Sequence, residues 1–224
     1  WTAPARRAGA RTKRRPRAHN LPGMQVPTDD EIRALHAEHA PTREAFDLVY
    51  THCRIVCDLA ERVIGANPSL QLLDVDLVRA GCLLHDIGVY RLFDGAGRLD
   101  HTQYVRHGVL GHDLLAEAGM PEVLCRFCSC HTGVGITEHD VRTQSLPIPP
   151  EDYLPDTLEE EVVMYADKFH SKADPPVFLT AGAYTRKVGK FGPDKPVLFQ
   201  QMVDRFGDPP VEEIAAGYGH TVRR

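Results

Sequence analysis

The feature that most constrains this chain is a set of apolar residues returning every three or four positions: Phe46, Val49, Cys53, Val56, Ala60 and Val63. Side chains at that spacing share one face of a helix, whereas a strand buried on one side would alternate every second residue. The same period recurs down the chain and convincing alternation is absent, so the expected fold is all-α: a helical bundle with a helical C-terminal extension. Thr28-Asp29-Asp30-Glu31 reads as a capping box opening a short helix with Ile32 and Leu35. After Pro41 a longer helix runs to about Ile64, stopped by Gly65-Ala66-Asn67-Pro68. Further helices are expected from about Val75 to His85, Gln103 to Glu117 and Pro121 to His131. Glycines make Phe93 to Gly97 a loop, and prolines keep Leu146 to Pro150 irregular. Thr157-Leu158-Glu159-Glu160 is a second capping box, opening a helix to about Lys172, and Pro196 to Phe206 and Val211 to Ala216 close the chain. The expected division is a basic, unstructured arm over 1–27, a helical domain over 28–175 and the extension over 176–224.

Composition narrows the function classes. With 42% hydrophobic and 25% charged residues the chain is globular, and no run approaches the ~18 apolar residues of a spanning helix, so no membrane partner is expected. The net charge of −5 is unevenly spread. Arg6, Arg7, Arg11, Lys13, Arg14, Arg15 and Arg17 crowd the arm; without them 19 basic residues face 31 acidic ones, a balance of −12. Such an acidic body is a poor binder of nucleic-acid phosphates. The arm has no apolar segment of a secretory signal and is given no functional weight. Cys53, Cys57 and Cys82 sit inside apolar helical patterns and Cys125, Cys128 and Cys130 cluster before His131, which is no disulfide framework; the expected location is the reducing cytoplasm.

The chemistry starts at His85-Asp86-Ile87-Gly88, which ends a helix rich in apolar residues. An imidazole and a carboxylate side by side can face one buried cation, and Gly88 is expected to let the backbone turn tightly beyond them. His52 borders the apolar stripe of its helix, and Asp167 ends the apolar run Val162-Val163-Met164-Tyr165-Ala166. A carboxylate there needs a cation, hydrogen bonds or a proton. Taken singly, His52 reads equally as a satisfied core histidine and Asp167 as the partner of Lys168. Taken with His85 and Asp86, the order His, His-Asp, Asp on successive helices favours a shared metal.

At these residues the chain resembles the HD-domain metal-dependent phosphohydrolases, whose signature is His…His-Asp…Asp; His85-Asp86-Ile87-Gly88 matches the variant called HDIG. The resemblance extends through Tyr104-Val105-Arg106-His107-Gly108, Cys130-His131-Thr132-Gly133-Val134-Gly135-Ile136 and Tyr165-Ala166-Asp167-Lys168, covering about residues 45–173. It implies an all-helical fold with ligands gathered around one pocket. It also implies, for members with two metals, the ligand order His52, His85, Asp86, His107, His131 and Asp167. The chain departs from the subgroup that cleaves cyclic dinucleotides: Thr132 follows His131 where that subgroup has a second histidine, and its Gly-Tyr-Pro motif is absent.

Two ions are physically reasonable if Asp86 bridges them, because a water between two cations loses its proton near neutral pH. Histidine-rich ligation favours Fe or Mn, with Ni or Zn also suited and Mg less so. The alternative is one ion, with His107 and His131 as substrate contacts. The expected activity is hydrolysis of a phosphate ester, a nucleotide or small phosphorylated metabolite, with Asp86 and Lys168 in catalytic roles. Arg91, Arg106 and Thr132 are candidate substrate contacts, although each cation reads equally as surface charge, and Lys168 points about 100° from Asp167 on a helix. His101, His112, His139 and His170 are read as structural or exposed. Zinc on Cys125, Cys128, Cys130 and His131 is disfavoured, because Cys128 and Cys130 point apart on one helix. Two competing functions remain: a mixed-valent di-iron oxygenase of the same superfamily, and a non-catalytic metal or nucleotide sensor. No oligomeric state is implied.

Overall fold

The computed structural model describes residues 25–224, so the basic cluster of the expected arm lies outside the described residues. Helices α1 (Asp29–His39), α2 (Arg43–Ala66), α3 (Val75–Leu84), α4 (His107–Glu117), α5 (Glu122–Ser129), α6 (Glu138–Thr143) and α7 (Leu158–Asp167) come first. They are followed by strands β1 (His170–Ser171) and β2 (Val177–Leu179), helices α8 (Ala181–Val188), α9 (Lys195–Phe206) and α10 (Val211–Tyr218), and strand β3 (Thr221–Arg223). The all-α expectation holds, with one small addition. Strands β1 and β2 pair antiparallel and β2 and β3 parallel, in runs too short to show alternation in sequence.

Local signals account for most boundaries. Thr28 and Glu31 form the capping box, and Thr42 caps α2, whose whole apolar stripe is buried. Thr157 accepts the Glu160 N–H, but the Glu160 carboxylate does not return the bond; it takes Arg126 and the Asp156 N–H instead. The segment expected to be helical from Gln103 opens as a 3-10 turn over His101–Arg106 before α4 begins. Two further helices, α6 and α8, were not expected. The second capping-box helix is also shorter than expected, ending at Asp167 rather than near Lys172, because pairing with β2 captures His170 and Ser171 in an extended conformation.

One buried apolar cluster runs from Ile32 in α1 to Ala215 in α10, so the C-terminal segment shares the core. Tyr165 on α7 stacks near Phe199 and Phe206 of α9, with centroids 5.9 and 5.2 Å away, and its hydroxyl donates to the Gly207 carbonyl at 2.6 Å. Truncating either phenylalanine to alanine costs about 3–5 kcal/mol by the usual core penalty. A buried ion pair from Lys195 to Asp140, 2.7 Å long, ties α9 to α6.

His36 locks α1 onto this body. It is fully buried; its Nε2–H donates to the Leu83 carbonyl at 2.8 Å, leaving Nδ1 to accept from the Tyr90 hydroxyl at 2.9 Å. Burial pushes its pKa down to about 4 from the ordinary 6.5. The unfolded chain therefore binds this proton first, so the stability is present above about pH 6.5 and is lost as pH falls through about 4. Denaturant titrations at pH 7.5 and 4.5 are expected to show a loss of roughly 2–3 kcal/mol that His36→Gln removes from the pH dependence. An unchanged slope in that variant would assign the acid lability to the carboxylates.

Candidate metal centre

Five helices deliver the predicted residues to one place. His52 comes from the middle of α2, and His85 and Asp86 follow α3, where the chain passes into the 3-10 segment Ile87–Leu92. His107 opens α4, His131 lies just past α5, and Asp167 is the last residue of α7. Two sets of potential ligand atoms converge, and they share Asp86: His52, His85, Asp86 and Asp167 in one, Asp86, His107 and His131 in the other. Asp86 Oδ2 lies 3.1 Å from His52 Nε2 and 3.4 Å from His85 Nε2. Its other oxygen, Oδ1, lies 3.4 Å from His107 Nε2 and 3.6 Å from His131 Nε2. Asp167 Oδ1 completes the first set, 3.0 Å from His52 and 3.6 Å from His85.

Backbone carbonyls decide which ring nitrogens are free. Nδ1–H of His85 donates to the Cys82 carbonyl, that of His107 to the Tyr104 carbonyl and that of His131 to the Cys128 carbonyl. A neutral imidazole carries one N–H, so each Nε2 presents a lone pair. The Nε2 atoms of His107 and His131 then face each other at 3.0 Å with no proton between them, and buried Asp86 Oδ1 has no hydrogen-bond partner among the described residues. A buried polar atom left this way costs about 1–3 kcal/mol, more when charged. Two lone pairs and an orphaned carboxylate oxygen are satisfied together by a cation, so the donor set fits a metal ion, of the transition type that takes imidazole and carboxylate.

Charge around the carboxylates points the same way. Burial pushes Asp86 toward its neutral acid, but the Lys172 ammonium and His85 outweigh it and hold the carboxyl well below the usual range. Asp167 is held down likewise against burial, chiefly by Lys168. Burial opposes a charge on His85, yet Asp86 above all raises its pKa well above the ordinary value, so a proton competes there with a cation.

A cavity of about 600 Å³ opens in front of these residues, a size suited to a small-molecule ligand. Asp86, His107, His131, Asp167, Lys168 and Thr132 line it. Lys168 is buried, and its Nζ donates to the His131 carbonyl at 2.9 Å and to Asp167 Oδ2 at 2.6 Å. Arg91 and Arg106 do not reach the cavity. Arg91 pairs with Glu117, and Arg106 is exposed on the last residue of its 3-10 turn, because a charge in sequence carries no direction. The lining also takes Leu99 and Leu146 but draws more on residues 131–136 and on the C-terminal segment. Gly133 and Gly135 bend that first stretch with φ of 63° and 91°, and the Gly135 N–H is used by the Thr132 carbonyl rather than turned to the cavity. Gly88 lies in the tight turn that the Val89 N–H closes onto the Asp86 carbonyl, without a positive φ, and its lack of a side chain lets α4 pack closely.

Sequence reasoning missed two contributors. Lys172, expected on a helix, stands on the extended chain after α7 with its Nζ on Asp86 Oδ2 and over the Tyr104 ring, 5.9 Å from its centroid. His170 stacks on His52 with ring centroids 5.1 Å apart, and burial lowers its pKa to about 2. Its position three residues past Asp167 was the available signal. Neither ligand set that shares Asp86 includes a cysteine: Cys125 and Cys128 donate to the Met120 and Leu84 carbonyls, and burial raises both thiols, Cys125 to about 11.

Comparison with known proteins agrees with this architecture. The sequence profile of the HD domain family matches residues 49–172, more than half of the chain. An uncharacterized protein of Methanocaldococcus jannaschii is 40% identical over 120 residues, 53% of this chain and 64% of that protein. A tRNA (cytidine(56)-2'-O)-methyltransferase of Picrophilus torridus is 31% identical over 157 residues, 70% of this chain and 40% of that enzyme. The chain thus spans less than two thirds of the length of these relatives. The crystal structure of the HD domain of the L. monocytogenes phosphodiesterase PgpH superposes with a TM-score of 0.50 at 17% identity, covering 84% of this chain and 98% of that one, a likeness of fold. Among the described residues, no helix is long and apolar enough to cross a membrane.

Proposed function

The chain belongs to the HD-domain family, and from that premise we propose that it is a metal-dependent phosphohydrolase acting on a small phosphorylated substrate at a two-metal site. The observation that carries this reading is Asp86, whose two oxygens each address a separate pair of imidazole nitrogens while one of them has no other partner. His52, His85 and Asp167 would hold one ion, His107 and His131 the other, and Asp86 both. Divalent Fe or Mn suits that donor set, and such ions supply charge for phosphoryl oxygens and acidify water.

The remaining work falls to this chain's own side chains. Asp86 and Asp167 gather cations, and the three backbone-held imidazoles keep fixed orientations without reorganising. Lys168 joins Asp167 to the backbone of His131, fixing two parts of the site relative to each other, and with Lys172 brings ammonium charge to the cavity where phosphate oxygens would lie. Thr132 adds a hydroxyl on the same wall. Val134, Ile136, Leu179 and Tyr184 add apolar surface to the lining for the organic part of a substrate and for excluding water.

Metal analysis of the purified protein, followed by a panel of phosphomonoesters and phosphodiesters with Mn²⁺ or Fe²⁺, tests the proposal. Metal-dependent release of phosphate or alcohol, abolished by a chelator and restored by metal, is expected. Turnover that survives complete metal removal would overturn it, as would oxygen consumption on a phosphonate with no ester hydrolysed.

A further inference from the structure

Three of the four histidines around Asp86 give their second ring N–H to a backbone carbonyl, and His52 does not. Its Nδ1 lies 2.8 Å from Nδ1 of His170, and His170 Nε2 lies 3.2 Å from Nδ1 of His220. The rings are stacked in series, 5.1 Å apart at 28° and 5.3 Å apart at 18°. His52 and His170 are buried, with the Phe178 ring against His170, while His220 is half-buried between α10 and β3. A row of three imidazoles therefore runs from the candidate centre toward the surface.

A hydrogen bond between two neutral imidazoles needs a proton on one nitrogen only, so the three rings are locked into a common sense. When His52 Nε2 offers its lone pair to a cation, its proton sits on Nδ1 and donates to His170. His170 then donates from Nε2 to His220, which keeps its own proton on Nε2. In the reverse sense His52 Nε2–H donates to Asp167 Oδ1 at 3.0 Å, and every bond in the row runs backwards. A carbonyl acceptor permits only one of these arrangements, whereas an imidazole acceptor permits both. His52 is thus the one adjustable nitrogen ligand among three fixed ones.

We propose that His170 and His220 are positioning residues that form an imidazole relay, reversing its hydrogen-bond sense when a cation takes the lone pair of His52. The proposal rests on the metal-binding reading of the site. It adds that the far C-terminal residues, through His220, bear on cation affinity.

The test uses Zn²⁺, a diamagnetic probe, on the full chain. In His170→Phe the stacked ring remains but the acceptor is lost, and calorimetric Zn²⁺ affinity is expected to fall about 10–100-fold, the usual cost of losing the partner of a ligating histidine. In His170→Asn a side-chain carbonyl replaces the accepting nitrogen, and affinity is expected to return to within a few-fold of wild type. In ¹⁵N spectra of the wild type, the His220 proton is expected to move from Nδ1 to Nε2 on adding Zn²⁺. Equal affinity in both variants, whether both unchanged or both weakened, would overturn the relay, as would a His220 tautomer indifferent to Zn²⁺. Should His170→Phe fail to fold, His220→Phe at the half-exposed end is expected to weaken Zn²⁺ a few-fold, and no change there overturns the relay equally. A wild-type protein that takes up no Zn²⁺ overturns the metal reading itself, a result distinct from normal uptake that the variants leave intact.

Discussion

Asp86→Asn is expected to empty the centre of metal and to lower turnover about a thousand-fold, the rate equivalent of about 4 kcal/mol of lost transition-state stabilisation. The substitution keeps the volume of the side chain but removes the charge that both sets of histidines share. A carboxamide presents one acceptor and one donor, so the nitrogen end meets lone pairs of one histidine pair with a hydrogen bond instead of a bridge. Elemental analysis should find fewer ions than in wild type at equal protein, and the activity panel should show the loss in kcat rather than in KM. The His85→Ala, Asp86→Ala double variant extends the test: if it retained metal and turnover, the site would lie elsewhere. Because Lys172 remains beside position 86, excess positive charge further opposes metal return in either variant.

Gly88→Ala is expected to cost on the order of 4 kcal/mol in stability, at the upper end for overpacking, and to weaken metal binding with it. A Cβ at position 88 would stand 2.1 Å from the His107 carbonyl oxygen and 2.2 Å from the Gly111 nitrogen. Both are backbone atoms of α4, so no rotamer change relieves the contact, and the helix itself must move away. That helix carries His107, one of the residues Asp86 faces across the centre. The glycine after His85-Asp86-Ile87 therefore sets the distance between two halves of the donor set. Denaturant midpoints and Mn²⁺ titration of the same preparation check both effects; a variant as stable as wild type would show that α4 is held by other contacts.

His52, His85, Asp86 and Asp167 were legible as candidate ligands because histidine and aspartate embedded in apolar helical periods are costly unless they face something, whereas His107 and His131 came from the resemblance alone. The structure brings the six together. The long helices were legible for the same periodic reason, as α2 illustrates residue by residue. What sequence did not reveal is direction after a helix ends. Lys172 and His170 return to the centre only because the chain leaves α7 at Asp167 and pairs with β2, an event encoded in two- and three-residue strands. Arg91 and Arg106 failed for the converse reason: Arg91 sits on a 3-10 segment whose buried residues are otherwise apolar and pairs outside with Glu117, and Arg106 ends a 3-10 turn that buries none of its residues. Lys168 reaches inward although its neighbour Asp167 does too, because its long side chain folds back to Asp167 Oδ2 and the His131 carbonyl while its backbone stays helical.

The shared core of α7 with α9 has a consequence for how such a protein can diverge. The candidate donors all lie between positions 52 and 167, whereas Leu179, Tyr184, Val188, Phe191 and Lys195 of the cavity lining come from later in the chain. That later segment joins the donor-bearing helices through Tyr165, Phe199 and Phe206, through the Lys195–Asp140 pair and through the row of His52, His170 and His220. Phe191 lines the cavity yet is exposed and outside the buried core, so substitutions there can reshape what fits while leaving the candidate donors in place. For an engineer, Phe191 is the position to randomise first, because Leu179, Tyr184 and Val188 are buried in the core and Lys195 holds Asp140.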